Sequence, residues 1–273
     1  MRTQFSKLAL TAGLMLAITF TFSCSSPDDN NGGGGGSGGN NNGNGGSNTP
    51  SAGPCPNATT SNGSMSCGGQ TYGTVQIGEQ VWMAKNLNYK TSDGNSRCYP
   101  TSGNTNTSDA DNVNCTTYGR LYTWATAMAL ATSCNSSLCA SQVQAKHTGA
   151  CPSGWHLSSN DEWNVLMKFV NPSCSDNSPC ANAGTKLEAT SGWNPYNGVP
   201  AGTDDYGFSA LPGGSANNSD HFYDVGNYGN WWTASEGNSS YAHFRSIYYD
   251  SEYGFWSSSG SKSTLFSIRC LKD

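Results

Sequence analysis

His156 stands in the stretch CPSGWHLSSNDEWNVLMKFV, residues 151–170, flanked by Trp155 and Trp163 and followed closely by Asp161 and Glu162. An imidazole beside carboxylates is the combination from which general acid–base catalysis is built. The spacing favours scaffolding instead. Ser159 and Glu162 form a capping box, and Trp163, Leu166, Met167 and Val170 recur at helical spacing as an apolar stripe that Pro172 brings to an end. Trp155 opens a strand, and His156 faces oppositely to Trp155 and Leu157.

The remaining nucleophile and metal patterns are weak. Ser259-Gly-Ser-Lys262 matches S-x-x-K, yet it lies in a serine-rich turn before a strand, whereas the active motif opens a helix. The sequence contains no H-E-x-x-H or P-loop pattern, and G-x-S-x-G occurs only at residues 35–39, inside a glycine-rich run with no flanking strand or helix signal. His147, His156, His221 and His243 are scattered without ligand spacing. Asp204 and Asp205 follow a Gly-rich loop, with Asp220, Asp224 and Glu236 downstream. Hard oxygen donors of this kind suit calcium. A calcium site at Asp204, Asp205 and Glu236 is therefore an alternative to the expected reading, in which these are solvated loop acids and no metal or cofactor is bound. A glycosidase carboxylate pair is a further alternative, because sequence gives no distance between acids.

Aromatic side chains are the stronger lead. Trp193, Tyr196, Tyr223, Tyr228, Trp231, Trp232, Tyr248, Tyr249, Tyr253 and Trp256 lie among Asn, Asp and Ser. Rings stack on sugar faces while amides and carboxylates bind hydroxyls. Most of these rings belong to strand cores. The expected ligand site is drawn from Trp193, Tyr196, Asp204, Asp205, Asp220 and Tyr223, with Trp231 and Trp232 partly beneath as support.

The elements that must position these residues follow from the rest of the chain. Arg2 and Lys7 precede an apolar run, Leu8–Phe22, too short to cross a bilayer comfortably. Small Ser23 then precedes Cys24, which resembles a bacterial lipobox with Thr21 in place of the usual Leu. That resemblance implies a leader at 1–23, a lipidated Cys24 and, with Ser25 following, an outer-membrane lipoprotein exposed at the cell surface. The stretch 24–64 reads as the lipidated N-terminus followed by a Gly/Asn/Ser-rich tether, and residues 30–54 hold nothing apolar to bury. Its low-complexity part, 30–54, has a reach of roughly 25–30 Å.

The domain proper is placed at 65–273. Removing Arg2 and Lys7 takes the net charge from −5 to −7, and charged residues are 11% of the chain, against about 25% in typical soluble domains. No basic run exists, which argues against nucleic acid as a partner. Setting Cys24 aside leaves ten of eleven cysteines, and an even number in an exported chain favours disulfides. Spacing suggests Cys55 with Cys67, Cys98 with Cys115, Cys134 with Cys139 and Cys174 with Cys180, which leaves Cys151 and Cys270 to join the opening stretch to the last strand.

Residues 72–87 read as a hairpin turning near Gly78-Glu79, and 118–130 as a helix carrying Leu121, Trp124, Ala125 and Met128. Beyond residue 190 helical periodicity gives way to short strands at 231–236, 241–249 and 264–271. Phe266, Ile268 and Cys270 share one face of the last. Two helices followed by an aromatic sheet make an α+β domain, stapled by disulfides.

Seven blocks occur in order: YGTVQIGEQVWMAKNLNY, CYP…NCTTYGRLYTWATAM, CPSGWHLSSNDEWNVL, GTKLEATSGWN, GTDDYGFSALPGG, WWTASE and FSIRCLKD. Together they resemble the Fibrobacter succinogenes major paralogous domain over residues 70–273. Ser158 stands at a usual proline position, and the Cys-bracketed insertions at 134–139 and 174–180 look particular to this chain. The resemblance implies a C-type-lectin-like fold with short, twisted antiparallel strands, shared with formylglycine-generating enzymes, and ligand loops between residue 191 and Trp232. Those enzymes use thiols near their C-terminal end, where this chain has only Cys270. The expected function is a surface-displayed module that binds polysaccharide or an envelope protein without chemistry. The alternatives are an enzyme, formylglycine-generating or glycan-cleaving, and a passive coat protein.

Overall fold

The computed structural model describes residue 55 and residues 59–61, 63–102 and 112–273. Cys24 and the leader lie outside the described residues, as does most of the tether. The elements in chain order begin with β1 (Thr59–Ser61), β2 (Ser64–Cys67), β3 (Gln70–Ile77), β4 (Gln80–Met83) and β5 (Ser96–Arg97). Next come α1 (Val113–Tyr118), β6 (Leu121–Tyr122), α2 (Trp124–Ala127), β7 (Trp155–Leu157), α3 (Asn160–Val170) and α4 (Ala183–Leu187). The last part holds β8 (Ser215–Ala216), β9 (Phe222–Tyr223), β10 (Tyr228–Glu236), β11 (Tyr241–Tyr248), β12 (Trp256–Ser261) and β13 (Cys270–Lys272). The architecture is mixed helix and strand with curled antiparallel sheets. The first strand, β1, already lies inside the stretch read as tether, where it pairs with β2.

One sheet has the order β1-β2-β3-β4-β13-β7 and a second the order β10-β11-β12. The β3–β4 hairpin forms where alternation predicts, Ile77 pairing Gln80 across Gly78-Glu79. Gly78 has φ +62, and a Cβ there would come within 2.8 Å of the Phe169 ring, so glycine is required twice over. The last strand, β13, inserts between β4 and β7, pairing Leu271 with both Trp82 and His156. Cys151–Cys270 ties this arrangement together across 119 residues of chain. Among the described residues the five disulfides are the four pairs that spacing suggests and the remaining Cys151–Cys270.

Strand β10 is buried on both faces. Successive side chains point oppositely along a strand, so Trp231 enters a core with Trp82, Trp163 and Phe208, while Trp232 enters another with Trp124, Trp155 and Phe266. Helix α3 supplies Trp163 to the first. Its ring lies 4.9 Å from that of Trp82 and 4.8 Å from that of Phe255, centroid to centroid. The capping box is present as the sequence implies.

Two expectations need correction. Residues 118–130 do not form one helix: Gly119, at φ +78, ends α1, β6 pairs Leu121 with Arg97, and Thr123 caps the single turn of α2. Tertiary pairing overrides the helical spacing, although Leu121 and Trp124 are buried as expected. The helix count is accordingly larger than two, with α3 the longest at eleven residues. Residues 264–269 are not regular strand either. They thread between three elements, making single bridges from Leu265 to Ala216, from Phe266 to Tyr122 and from Ser267 to Trp231.

Candidate functional site

The site starts from the end of α4. Glu188 leaves the helix with extended backbone, its N–H still donating to the Gly184 carbonyl at 2.8 Å. The loop 203–210 runs alongside: Thr203 N–H donates to the Thr185 carbonyl, Asp205 N–H to Lys186, and Ala210 N–H to Leu187. Ala189 N–H returns a bond to Ala210 at 2.9 Å, which locks Glu188 opposite Ala210 in a parallel bridge. Gly202 lies flat on Glu188; a Cβ at Gly202 would stand 2.6 Å from the Glu188 Cβ. Arg269 steadies the same loop from below, donating to the carbonyls of Phe208 and Ser209 and stacking over the Phe208 ring at 4.2 Å.

Glu188 is thus 5% exposed and faces a cleft of about 120 Å³. Trp193, Tyr196, Val199, Pro200 and Tyr249 are among its walls. Among the described residues nothing hydrogen-bonds the Glu188 carboxylate, and desolvation alone pushes its pKa up to about 7. The Trp193 indole N–H donates to the Ala210 carbonyl at 2.9 Å, which fixes the ring with one face on the core. Tyr196 is 50% exposed and meets Tyr249 edge-on at 5.4 Å. Tyr249 is held by its N–H bond to the Asn227 carbonyl at 2.9 Å.

An aromatic cleft with a single buried acid lies wholly inside the part of the chain that a family model covers. That model, the Fibrobacter succinogenes major domain, matches residues 75–272. The chain belongs to this family. Domains of the family are cell-envelope domains. No curated protein and no solved structure matches the chain.

The Fibrobacter succinogenes major domain of this chain brings together only part of the set expected from sequence. Trp193 and Tyr196 meet in the cleft. Asp204 instead accepts hydrogen bonds from the N–H and hydroxyl of Ser209, bracing the loop at φ +50. Asp205 is exposed beside it. Asp220 pairs with Arg97 at 2.7 Å, and Tyr223 is exposed on β9 with its hydroxyl 3.3 Å from the Asn217 amide. Trp231 and Trp232, expected to lie partly beneath the site, are both fully buried, each in its own core. The residues absent from the sequence reading of the site are Glu188 and Tyr249. Tyr249 carried a signal as one of the clustered aromatics; Glu188 carried only its place between apolar Leu187 and Ala189.

Of the acids grouped for calcium, Asp204 and Glu236 are engaged by other partners and Asp205 is exposed. Glu236 forms a buried ion pair with Lys262, which also donates to the carbonyls of Ser137 and Ser239 and lies 4.7 Å over the Trp124 ring. This also gives Lys262 a structural partner in place of Ser259. Among the described residues no group of three or more His, Cys, Asp or Glu is placed to hold a metal ion.

The opening cluster is scaffolding of a specific kind. The buried His156 ring contacts Glu162 Oε1 at 2.9 Å through Nε2 and Asp273 Oδ1 at 2.7 Å through Nδ1. Burial opposes its charged form, yet the two carboxylates outweigh burial and raise its pKa above 6.5. Glu162 therefore serves twice, since its Oε2 still caps the helix at Ser159.

Proposed function

We propose that this protein is a cell-envelope lipoprotein whose major domain binds carbohydrate in the Glu188–Trp193–Tyr196–Tyr249 cleft and performs no chemistry there. The observation that carries this reading is Glu188. The residue is 5% exposed, its carboxylate has no protein partner among the described residues, and its oxygens still open to solvent, where they can hydrogen-bond whatever enters the cleft. A ligand hydroxyl would donate to them, while the flanking rings would stack on the apolar face of a sugar. Ligand sites commonly combine such aromatic walls with a few placed polar groups.

Anchoring is part of the proposal. Lipid on Cys24 would hold the domain at the outer face of the outer membrane, with the Gly/Asn/Ser-rich tether giving it reach. Among the described residues no helix is long and apolar enough to cross a membrane. Cys24→Ser is expected to release the protein from membranes; retention with normal processing contradicts the anchor. The finer fold reading, a C-type-lectin-like domain, is supported by the sheet in which the last strand β13 lies between the first hairpin and β7.

A second reading, glycan cleavage, is favoured by one feature: a carboxyl with a pKa near 7 is suited to act as a general acid. Binding is preferred because Glu188 is the only carboxylate among the described residues lining the cleft, whereas glycoside hydrolysis generally uses a pair. A formylglycine-generating chemistry needs free thiols, and every cysteine among the described residues is disulfide-bonded. A glycan array probed with the purified protein tests the binding reading. Retention of neutral glycans is expected, and it should be lost in Trp193→Ala. Retention of no glycan, or release of reducing sugar from the bound ones, overturns it.

A further inference from the structure

Beside the cleft, β10 and β11 begin and end with a second pair of rings. Tyr228 and Tyr248 are cross-strand partners, both half-exposed, with ring centroids 4.9 Å apart. The two ring pairs are joined through the backbone around residues 224–227 and 249. Tyr249, which walls the cleft, follows Tyr248 directly in the chain and bonds through its N–H to the carbonyl of Asn227, next to Tyr228. Asn194, next to Trp193, donates from its backbone to the Gly226 carbonyl at 2.8 Å and from its side chain to Asn227 Oδ1 at 2.9 Å. The turn 224–227 is thereby tied to both the cleft loop and the tyrosine pair. Gly226 is needed at this join: its φ is +84, and a Cβ would stand 2.8 Å from the Asn194 amide. Asp224 and Asp250, both exposed, flank the pair closely enough to raise the Tyr228 pKa after burial has done so.

We propose that the cleft is the first of two adjoining subsites, that the Tyr228–Tyr248 shelf is the second, and that the ligand is an uncharged polysaccharide chain lying across both. The inference rests on the carbohydrate reading of the cleft and adds length and charge selectivity to it. The cleft holds one indole and two tyrosine rings and the shelf adds two more tyrosines, more ring surface than a single sugar needs. Rigid tyrosines give contact area at low entropic cost and offer hydroxyls for hydrogen bonding. Exposed Asp224 and Asp250 make the shelf acidic, which repels uronate or sulfated chains.

The test is calorimetric titration of the purified protein with neutral β-1,4-linked glucose, mannose and xylose oligomers from dimer to hexamer. Galacturonate oligomers serve as the anionic comparison. Affinity for one neutral series should rise about tenfold from dimer to hexamer. That gain should vanish in Tyr228→Ala/Tyr248→Ala while the dimer still binds as in wild type, and Tyr196→Ala should weaken every length. Equal affinity for dimer and hexamer, or a gain that survives the double substitution, overturns the second subsite and leaves the cleft standing. Tighter binding of galacturonate oligomers overturns the charge selectivity. If no neutral series binds, the carbohydrate reading falls and this inference with it. The wild-type length series decides the matter alone should the double variant fail to fold.

Discussion

The rings of Tyr196 and Tyr249 meet edge-on, 5.4 Å between centroids, although one sits in the loop after α4 and the other just beyond β11. The contact closes one end of the cleft and couples two distant segments. A double-mutant cycle with Tyr196→Ala and Tyr249→Ala should give a coupling of about 0.5–1.5 kcal/mol in unfolding free energy. Additive single effects would mean that the rings do not support each other.

Glu188 makes stability depend on pH in a defined direction. Its folded pKa, about 7, lies above the ordinary 4.5, so between these values the native state holds more proton than the unfolded chain. Stability should therefore be highest below 4.5, fall as pH rises towards about 7, and change no further from this group. The fall is on the order of 3 kcal/mol. Chemical denaturation of wild type and Glu188→Gln across this range checks it; the difference between the two should track the window, and parallel curves would count against the burial of an ionising group.

His156 acts on the alkaline side. Because its folded pKa is raised above 6.5, the stabilisation it contributes is complete below that value and is lost as pH rises through the folded pKa. Glu162, whose pKa is lowered by His156 and Ser159 against the effect of burial, shows the opposite sign: its contribution is present above 4.5 and fades in acid. His156→Gln should flatten the decline above 6.5 without touching the Glu188 window. An undiminished decline in that variant would assign it to another group.

Gly202 sets how closely the loop lies on Glu188. Gly202→Ala would place a Cβ 2.6 Å from Glu188 Cβ and 2.7 Å from the Ala189 carbonyl oxygen, so the loop must lift. A loss of about 1–3 kcal/mol is expected. Lifting should also admit water to Glu188 and bring its carboxyl back towards 4.5, seen as a shallower pH dependence. A variant as stable as wild type would show the loop to be freely adjustable.

What was legible in the sequence was local. The capping box of α3, the Gly78-Glu79 hairpin and the cysteine pairs are each specified by residues near one another, or by elimination in the case of Cys151–Cys270. Of the aromatic and acidic run after residue 190, Trp193 and Tyr196 are the expected site residues that line the cleft. The cleft itself was not legible, because long-range pairing creates it. Glu188 takes its place in the cleft wall only when Ala210 bridges it and Gly202 packs against it. Asp204 and Glu236 looked available until Ser209 and Lys262 claimed them. Trp231 and Trp232 looked like site support because two neighbouring rings in a strand cannot reveal, without the second core, that both faces are filled.

The central claim is that the cleft walls bind a neutral sugar chain. Isothermal titration of wild type and Tyr196→Ala with the best neutral oligomer tests it most directly, since Tyr196 is half out of the protein and its removal should leave the fold intact. The account predicts measurable binding by wild type and at least about tenfold weaker binding by Tyr196→Ala, with the melting temperature lowered by no more than the few degrees that loss of the Tyr249 contact implies. Equal binding by both proteins, or no binding by wild type, would contradict it.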